Sequence, residues 1–326
     1  MTSLLKVTFI SFSLIVTVLF VYLKIMYHHK ERNNNVNNNN NNNNNKYNNV
    51  KDINSVISLL KEDSHASVKT GDTIVKENVR KVCPSGSREP SVHKDAINKL
   101  FTRVTTLSKF KKYTPVIHNS DPWVVTFDTF LTDEEADMVI QMSQGRFSPS
   151  ALAGAEQINQ NYRRSESFGC DHHNKCIEHE SIKPIIDRMH EVTDINMKHT
   201  EDLTVTHYNI GGFYGRHHDY ILEESMPKSW KNCGPRTFTF LVYLNDVEEG
   251  GETKFFHLDL KQQEVAVKPK KGRAILWPNT FNDNPFEKDE RTAHEALKVL
   301  KGEKYILQTW FYMYDYASNI DNNCCG

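Results

Sequence analysis

A series of apolar segments after Leu203 constrains the fold of this chain more than any other feature. The segments are LTVTHYNI, TFTFLVYLNDV, TKFFHLDL, QEVAVKP, GRAILWP and KYILQTWFYMY, and turn residues such as glycine, proline and acidic residues lie between them. Short segments rich in β-branched and aromatic residues, bounded by such turns, are typical of strands. Their succession predicts a β-sandwich or a barrel.

Helical patterns precede these strands. The sequence TDEE, Thr132 to Glu135, is a capping box that opens a predicted helix from about Asp133 to Gln144. A second predicted helix, Ile182 to Val192, carries apolar residues at helical spacing. WVVTFDTFL, which begins at Trp123, predicts a strand, and a short helix is expected near Ala96 to Leu107. We therefore predict a mainly β fold with flanking helices packed outside one sheet.

The N-terminal segment Val7 to Leu23 contains no charged residue and is long enough to cross a bilayer as a helix. A cleaved secretory signal is the alternative, but no small-x-small cleavage pattern follows. We expect an uncleaved, single transmembrane signal-anchor. Lys6 alone precedes the segment, and Lys24, Lys30 and Arg32 follow it. This charge bias by itself favours a cytoplasmic second flank, so charge does not settle the orientation of the anchor.

A polar, low-complexity region follows the predicted anchor. Asn33 to Asn49 is almost pure asparagine, which cannot bury apolar surface and is predicted to be disordered. The sequence then stays polar and lysine-rich to about Thr114, and we interpret it as a stem. The predicted organisation is a cytoplasmic tip and anchor at 1–30, a stem at 31–114, a globular domain at 115–318 and a cysteine-containing tail at 319–326.

The charge balance bears on possible partners. The formal net charge is −1, so the sequence predicts no basic surface for nucleic acid. Oligomeric state is not indicated by any pattern in the sequence.

Metal-ligand chemistry is suggested by three His-x-Asp pairs: His93/Asp95, His217/Asp219 and His257/Asp259. Such pairs also arise by chance in a chain with 15 histidines, so their surroundings must decide between them. The first pair lies in the predicted stem, and the third lies in an aromatic strand where a structural histidine is expected. The second pair is therefore the metal-ligand candidate.

Strand alternation indicates which residues of His217-His218-Asp219 face an ion. Side chains two apart on a strand share a face, so His217 and Asp219 converge while His218 points away. Two histidines and one carboxylate on one face of an ion, with the other face open, are typical of Fe(II) oxygenases.

The third ligand is expected from a distant strand, where His257 and His294 are the candidates. His294 is preferred because Lys304 follows it by ten residues. On its own Lys304 would be interpreted as a solvated lysine. Beside a metal site in a barrel interior, however, its charge needs an anion, which indicates an acidic co-substrate.

These residues belong to a longer pattern. It consists of Tyr208-x-x-Gly211-x-x-Tyr214-x-x-His217-x-Asp219, Arg236, the segment LVYLNDVEEGGET from Leu241 to Thr253, His294, Lys304 and Trp310. The pattern resembles the catalytic domain of prolyl 4-hydroxylases over about Trp123 to Tyr314. This family of Fe(II)/2-oxoglutarate dioxygenases has a double-stranded β-helix, or jelly-roll, core. Its plant- and alga-type members resemble this chain in carrying a short membrane anchor.

The resemblance implies hydroxylation of peptidyl proline to 4-hydroxyproline with O2 and 2-oxoglutarate, and release of succinate and CO2. The implied Fe(II) ligands are His217, Asp219 and His294. The implied 2-oxoglutarate site pairs Lys304 with the C5 carboxylate, helped by Tyr208 and Thr253. The implied residues for a proline-containing peptide are Tyr214, Arg236 and Trp310. L-ascorbate is implied as a further cofactor.

Two positions depart from the family pattern. His257 follows the Phe255-Phe256 pair where the family usually has proline, and Tyr312 stands where histidine is frequent. Both lie on the implied substrate side, so they concern the identity of the peptide and not the iron chemistry.

The six cysteines bear on the compartment. They are Cys83, Cys170, Cys176, Cys233, Cys324 and Cys325, and six cysteines permit fifteen pairings. Cys170 and Cys176 bracket a short loop that fits either a local disulfide or a zinc site with His172 and His173. We expect the disulfide, and an endoplasmic-reticulum or Golgi lumen for the globular domain. The terminal pair is expected to tether to Cys83, to Cys233 or to another chain.

Two other functions remain open from the sequence. One is a same-fold oxygenase acting on a different side chain. The other is a non-catalytic peptide-binding module, which would have no need of His217, Asp219, His294 and Lys304 together.

Overall fold

The computed structural model describes residues 88–151, 159–171, 174–258, 264–320 and 324–325. Three of the predicted features lie outside these ranges: the membrane anchor, the asparagine tract and the stem up to residue 87. The same holds for Cys83, His172 and His173. Within the described ranges, no helix has the length and apolar character that crossing a membrane requires.

The helices lie around a β core. They are α1 (Ala96–Thr106), α2 (Asp133–Ser143), α3 (Lys183–Thr193), α4 (Pro227–Cys233) and α5 (Ala317–Ile320), with 3-10 turns at Ser108–Tyr113, Met197–His199 and Glu290–Thr292. The predicted capping box is present, since the Thr132 side chain accepts from the Glu135 amide and the Glu135 side chain accepts from the Thr132 amide. Both strongly patterned helices begin and end within one residue of their predicted bounds.

The described residues contain fifteen strands. They are β1 (Pro115–Ser120), β2 (Trp123–Phe127), β3 (Ser148–Pro149), β4 (Arg163–Arg164), β5 (Glu166–Cys170), β6 (Leu203–Tyr208), β7 (Phe213–His217), β8 (Arg236–Tyr243), β9 (Glu249–Gly250), β10 (Thr253–Phe255), β11 (Val265–Val267), β12 (Ala274–Pro278), β13 (His294–Ala296), β14 (Val299–Lys301) and β15 (Lys304–Tyr312). Each of the six apolar segments after Leu203 contains one of them.

Two antiparallel sheets form the core. The larger has the order β1-β2-β12-β8-β15-β6-β5-β3, the smaller has the order β11-β10-β13-β7-β4, and β14 pairs with β9. In the centre of both sheets, neighbouring strands such as β12-β8, β15-β6 and β13-β7 are far apart in the sequence, as in a jelly roll. The predicted fold class, mainly β with flanking helices and a jelly-roll core, is confirmed.

Side-chain alternation on the larger sheet explains its two buried faces. On β8, Phe238 and Phe240 pack into a cluster with the helices, while Leu241 and Tyr243 pack into a second cluster shared with the smaller sheet. Successive side chains on a strand point to opposite faces, so a strand buried on both sides carries apolar residues on both faces. The space between the sheets holds the polar residues described below.

Helix α1 corrects one predicted boundary. Its residues Ile97, Phe101 and Val104 are buried in the main core, and the Phe101 ring stacks on Trp123 with centroids 5.3 Å apart. Phe110 in the following turn is also fully buried. The prediction that the stem extends to residue 114 was therefore wrong. Basic residues on the solvent face give this segment a polar composition, although its inner face is apolar.

Two disulfides join described residues. Cys170 bonds to Cys176, as expected for the short loop, which leaves neither thiolate for a zinc site. Cys325 bonds to Cys233, one of the partners expected for the terminal pair, and Cys324 is disulfide-bonded as well. The end of the predicted tail is therefore tied to helix α4.

Candidate metal centre and co-substrate cavity

Strand pairing brings the three predicted ligands together. Strand β7 ends at His217, strand β13 begins at His294, and these two residues face each other in the antiparallel register. Asp219 follows the end of β7, with its Oδ1 3.6 Å from the His217 Nε2 and its Oδ2 3.6 Å from the His294 Nε2. One ligand atom from each residue lies within 4.8 Å of the others. In the part of the chain that the structure describes, no other such metal-ligand cluster occurs.

Backbone carbonyls orient both imidazoles. The Nδ1 of His217 donates to the Gly215 carbonyl at 2.8 Å, and the Nδ1 of His294 donates to the Thr292 carbonyl at 3.1 Å. Each proton therefore lies on Nδ1, and the Nε2 lone pairs point toward Asp219. Burial, aided by the neighbouring His294, lowers the pKa of His217 to about 3. A neutral ring is the form that binds a metal.

Asp219 remains ionised although it is buried. Burial by itself raises the pKa of this carboxyl, but His294, His217 and a hydrogen bond from Thr239 outweigh burial and hold the pKa below its ordinary value. The Thr239 hydroxyl donates to Oδ2 at 2.7 Å. An ionised carboxylate and two imidazoles are the donor set of a two-histidine, one-carboxylate Fe(II) site.

His218 points away from this cluster, as strand alternation predicted. Its Nε2 donates to the Asp289 carbonyl at 2.7 Å, and burial lowers its pKa to about 4. Among the other predicted candidates, His93 is exposed, and neither His93 nor His257 lines the metal cavity.

The cluster opens into a cavity of about 740 Å³. The cavity is lined by all nine predicted site residues: Tyr208, Tyr214, His217, Asp219, Arg236, Thr253, His294, Lys304 and Trp310. The volume is sufficient for a small dicarboxylate together with part of a peptide.

Lys304 is a buried cation on the wall of this cavity. It is 1% exposed, and its Nζ has no hydrogen-bond partner among the described residues. The Nζ lies 5.1 Å from the Tyr208 ring centre and 5.5 Å from that of Tyr243. Burial lowers the pKa of Lys304 to about 7, and the opposing effect of Glu252 is smaller. Lys304 is therefore not a solvated lysine, and an anion would satisfy it.

The hydroxyls near Lys304 come from three strands. Tyr208 on β6 faces Lys304 in the register of β15, and Thr253 begins β10. The Tyr243 hydroxyl donates to the Thr253 hydroxyl at 2.7 Å. Lys304, Tyr208 and Thr253 all line the cavity, and a cation together with hydroxyl groups is a set that fits a carboxylate.

The implied peptide residues lie beside the metal ligands. The Tyr214 ring stacks on His217 at 3.6 Å, and the Arg163 guanidinium lies 4.5 Å from the Tyr214 ring centre. The Arg236 guanidinium lies 4.0 Å from the Trp310 ring centre. Glu201 accepts two short hydrogen bonds from the Nη2 of Arg236, at 2.6 and 2.9 Å.

The position that departs from the family pattern at Tyr312 is enclosed in the fold. Tyr312 is 2% exposed and stacks on Tyr316 with ring centroids 4.7 Å apart. Its ring also lies 5.7 Å from the Arg236 guanidinium. Tyr312 therefore lies next to Arg236 but does not line the cavity.

Sequence reasoning missed several residues of the site. Glu201, Tyr243 and Asn279 lie in segments where no local pattern distinguishes them. Thr239 did carry a signal, because it is a polar residue between Phe238 and Phe240 in a strand whose later residues are apolar.

Comparison with known proteins agrees with this geometry. Residues 203–312, which include all nine predicted site residues, match the family model of the 2OG-Fe(II) oxygenase superfamily. Prolyl 4-hydroxylase subunit alpha-3 of Bos taurus is 30% identical over 206 residues, 61% of this chain and 35% of the relative. The probable prolyl 4-hydroxylase 10 of Arabidopsis thaliana is 29% identical over 227 residues, 64% of this chain and 75% of the relative.

A solved structure is also similar. It is a viral collagen prolyl hydroxylase from Paramecium bursaria Chlorella virus-1 in complex with 2OG, with 26% identity and a TM-score of 0.42, over 58% of this chain and 95% of that chain. The chain spans about a third of the length of the animal prolyl 4-hydroxylase subunits that it matches. The predicted resemblance is confirmed: the chain contains a prolyl 4-hydroxylase-like 2OG-Fe(II) oxygenase domain.

Proposed function

We propose that this chain hydroxylates peptidyl proline to 4-hydroxyproline, using O2 and 2-oxoglutarate and releasing succinate and CO2. The proposal depends mainly on the Nζ of Lys304, which has no hydrogen-bond partner among the described residues and lies in the same cavity as His217, Asp219 and His294. A buried ammonium of this kind needs a carboxylate, and the triad needs a metal. The similarity to prolyl 4-hydroxylases supports proline as the target.

The residues that line the cavity have different roles in this reaction. Fe(II), when bound to the triad, supplies the redox chemistry that couples decarboxylation of 2-oxoglutarate to hydroxylation of a C–H bond. Lys304 pairs with the C5 carboxylate, and the Tyr208 and Thr253 hydroxyls fix its orientation. The low-polarity surroundings of Lys304 strengthen this ion pair and exclude water from it.

On the other side of the triad, Tyr214, Arg236 and Trp310 hold the peptide so that proline faces the metal. Tyr214 offers a flat apolar surface beside His217. Because Glu201 and the Trp310 ring hold Arg236 in place, its remaining N–H groups are already oriented for a peptide carbonyl.

Turnover with a proline-rich peptide tests this function. The full chain is incubated with the peptide, Fe(II), 2-oxoglutarate and ascorbate, the expected reductant. Succinate is then measured, and mass spectrometry locates the added oxygen atom. We expect one succinate for each 4-hydroxyproline. Oxygen on another residue type would support the oxygenase of different specificity.

Two lysine variants test whether succinate release depends on the charge of Lys304. Lys304→Met is expected to abolish succinate release, because a neutral side chain cannot pair with the C5 carboxylate. Lys301→Met is the matched control, since Lys301 lies on the neighbouring strand β14 with its side chain 67% exposed. A His217→Ala variant that keeps every measured function would instead support the non-catalytic peptide-binding module.

We also propose that an N-terminal anchor places the domain in the lumen of the endoplasmic reticulum or Golgi. The Cys170–Cys176 and Cys233–Cys325 disulfides support an oxidising compartment. The uncharged segment Val7 to Leu23 supports the anchor. Protease protection of the domain in intact microsomes tests both, and cleavage without detergent would contradict the lumenal orientation.

A further inference from the structure

A closed ring of hydrogen bonds begins and ends at the two neighbours His218 and Asp219. From Asp219 it passes to the Thr239 hydroxyl at 2.7 Å and from there to the Asn279 side-chain amide at 3.0 Å. The backbone carbonyl of Asn279 accepts a hydrogen bond from the backbone amide of Asp289 at 3.0 Å. The backbone carbonyl of Asp289 in turn accepts from the His218 Nε2 at 2.7 Å. All members except His218 are at most 8% exposed.

The chemistry of these groups fixes the direction of donation. The Asn279 Nδ2 can only donate, so the Thr239 oxygen must accept from it. The single hydroxyl proton of Thr239 is then left for Asp219, whose ionised carboxylate can only accept. The Oδ2 of Asp219 is therefore held by a donor, whereas Oδ1 has no hydrogen bond among the described residues.

The ring is also anchored in the fold. The backbone amide of Asn279 donates to the backbone carbonyl of Thr237 on β8 at 2.8 Å. Asp289 is 1% exposed, and its carboxylate accepts from the Arg291 guanidinium at 2.7 Å. The backbone of Asn279 cannot shift without breaking these buried backbone hydrogen bonds, so the position from which its side chain donates to Thr239 is fixed.

We propose that Thr239, oriented by Asn279, is a positioning residue that limits Asp219 to one metal-binding oxygen. The proposal rests on the metal centre of the proposed function. Three protein ligand atoms would leave the other coordination positions of the ion to 2-oxoglutarate and O2. A carboxylate that bound through both oxygens would occupy one of these positions. Thr239 opposes this, because its hydrogen bond engages one lone pair of Oδ2 and favours binding of the ion through Oδ1.

Metal binding by the full chain, without turnover, tests the proposal. Thr239→Val keeps the shape of the side chain and removes the hydroxyl, and Thr239→Ser keeps the hydroxyl. Thr237→Val is the matched control, because Thr237 is also fully buried on β8 but its hydroxyl donates to the Phe311 carbonyl, away from the metal site. The readouts are Mn(II) affinity by electron paramagnetic resonance, the visible spectrum of bound Co(II), and the melting temperature.

We expect Thr239→Val to weaken Mn(II) binding about 10- to 100-fold, the usual effect of losing a hydrogen bond to a metal ligand. Its Co(II) spectrum should change, because Asp219 gains a second available oxygen. Thr239→Ser should restore wild-type affinity and spectrum. Thr237→Val should lower the melting temperature while leaving both metal readouts unchanged.

Wild-type affinity and an unchanged Co(II) spectrum in Thr239→Val would overturn the positioning role and leave the proposed function intact. An equal loss of Mn(II) affinity in Thr237→Val would also overturn it, because the effect would then be a general loss of structure. A wild-type chain that binds neither Mn(II) nor Co(II) would refute the metal centre itself, and both proposals with it.

Discussion

The buried charge of Lys304 leads to a measurable prediction about the stability of the fold and about the binding of 2-oxoglutarate. In the absence of an anion the folded protein buries an ammonium group that has no hydrogen-bond partner among the described residues. Replacing it with methionine keeps the length and apolar stem of the side chain and removes the charge. We expect Lys304→Met to be more stable than the wild type when no dicarboxylate is present, and to bind no 2-oxoglutarate.

The pKa of Lys304 sets the size of this effect and its dependence on pH. Burial lowers the pKa from its ordinary 10.5 to about 7, and one unit of pKa corresponds to about 1.4 kcal/mol. The unfolded chain keeps this proton up to about pH 10.5, whereas the folded chain releases it above about pH 7. The cost to folding is therefore largest below pH 7, at about 5 kcal/mol, and is relieved as the pH rises toward 10.5.

Denaturation in guanidinium measures the first part of the prediction. At about pH 6, Lys304→Met should exceed the wild type in free energy of unfolding by up to about 5 kcal/mol, and at about pH 9 by about 2 kcal/mol. The exposed control, Lys301→Met, should show no such gain, because surface ion pairs contribute about 0–1 kcal/mol. A Lys304→Met advantage that is absent, or that grows with pH, would refute the reasoning.

Calorimetry measures the second part. A bound dicarboxylate favours the ammonium form of Lys304, so binding takes up a proton when the pH is above about 7. The affinity of the Mn(II)-loaded chain for 2-oxoglutarate should therefore fall by up to about tenfold for each pH unit above 7. An affinity that stays constant from about pH 6 to pH 9 would show that Lys304 does not titrate in this range.

Four further predictions concern ion pairing, helix capping and packing. Glu201→Gln leaves the buried Arg236 guanidinium without its countercharge and should cost about 3–5 kcal/mol in urea denaturation; an unchanged midpoint would contradict this. Thr132→Ala removes the cap of helix α2 and should cost about 1 kcal/mol, whereas Thr132→Ser should cost far less. Phe101→Ala should cost about 3–5 kcal/mol by the same measurement, and a chain that begins at residue 115 should fail to fold; native-like melting of that chain would show that helix α1 is dispensable.

Local patterns in the sequence were sufficient for most elements. The capping box at Thr132 and the apolar stripe of Ile182 to Val192 report on contacts within a few residues, and both helices form as predicted. The strands after Leu203 were equally clear, because β-branched and aromatic residues alternate over short segments between turns. The mainly β fold class followed from these patterns alone.

The stem was misjudged because composition averages over the two faces of a helix. Lys99 and Arg103 lie between the apolar residues of α1, so the segment is polar on average. Only packing against Trp123 and Phe238 shows that its inner face is part of the core.

For the site, spacing together with the sequence context of each candidate was sufficient to select its ionisable members. A histidine and an aspartate two apart, a distant histidine and a lysine ten residues later carry enough specificity in sequence to single out His217, Asp219, His294 and Lys304. What spacing cannot predict is which neutral or oppositely charged groups hold those residues, because such partners come from strands that are far apart in the chain. Glu201 beside Arg236 and Asn279 behind Thr239 are of this kind.

The sequence by itself determined the residue types and their local periodicity, and these decided the class of fold, the choice of metal and the need for an acidic co-substrate. Only the tertiary structure decided how the site is held. It shows that Lys304 is buried with no hydrogen-bond partner among the described residues and that Asp219 accepts a hydrogen bond from Thr239, and it places helix α1 in the core. The physical reason is that hydrogen bonding and burial depend on distances between strands, and sheet order sets those distances independently of separation along the chain.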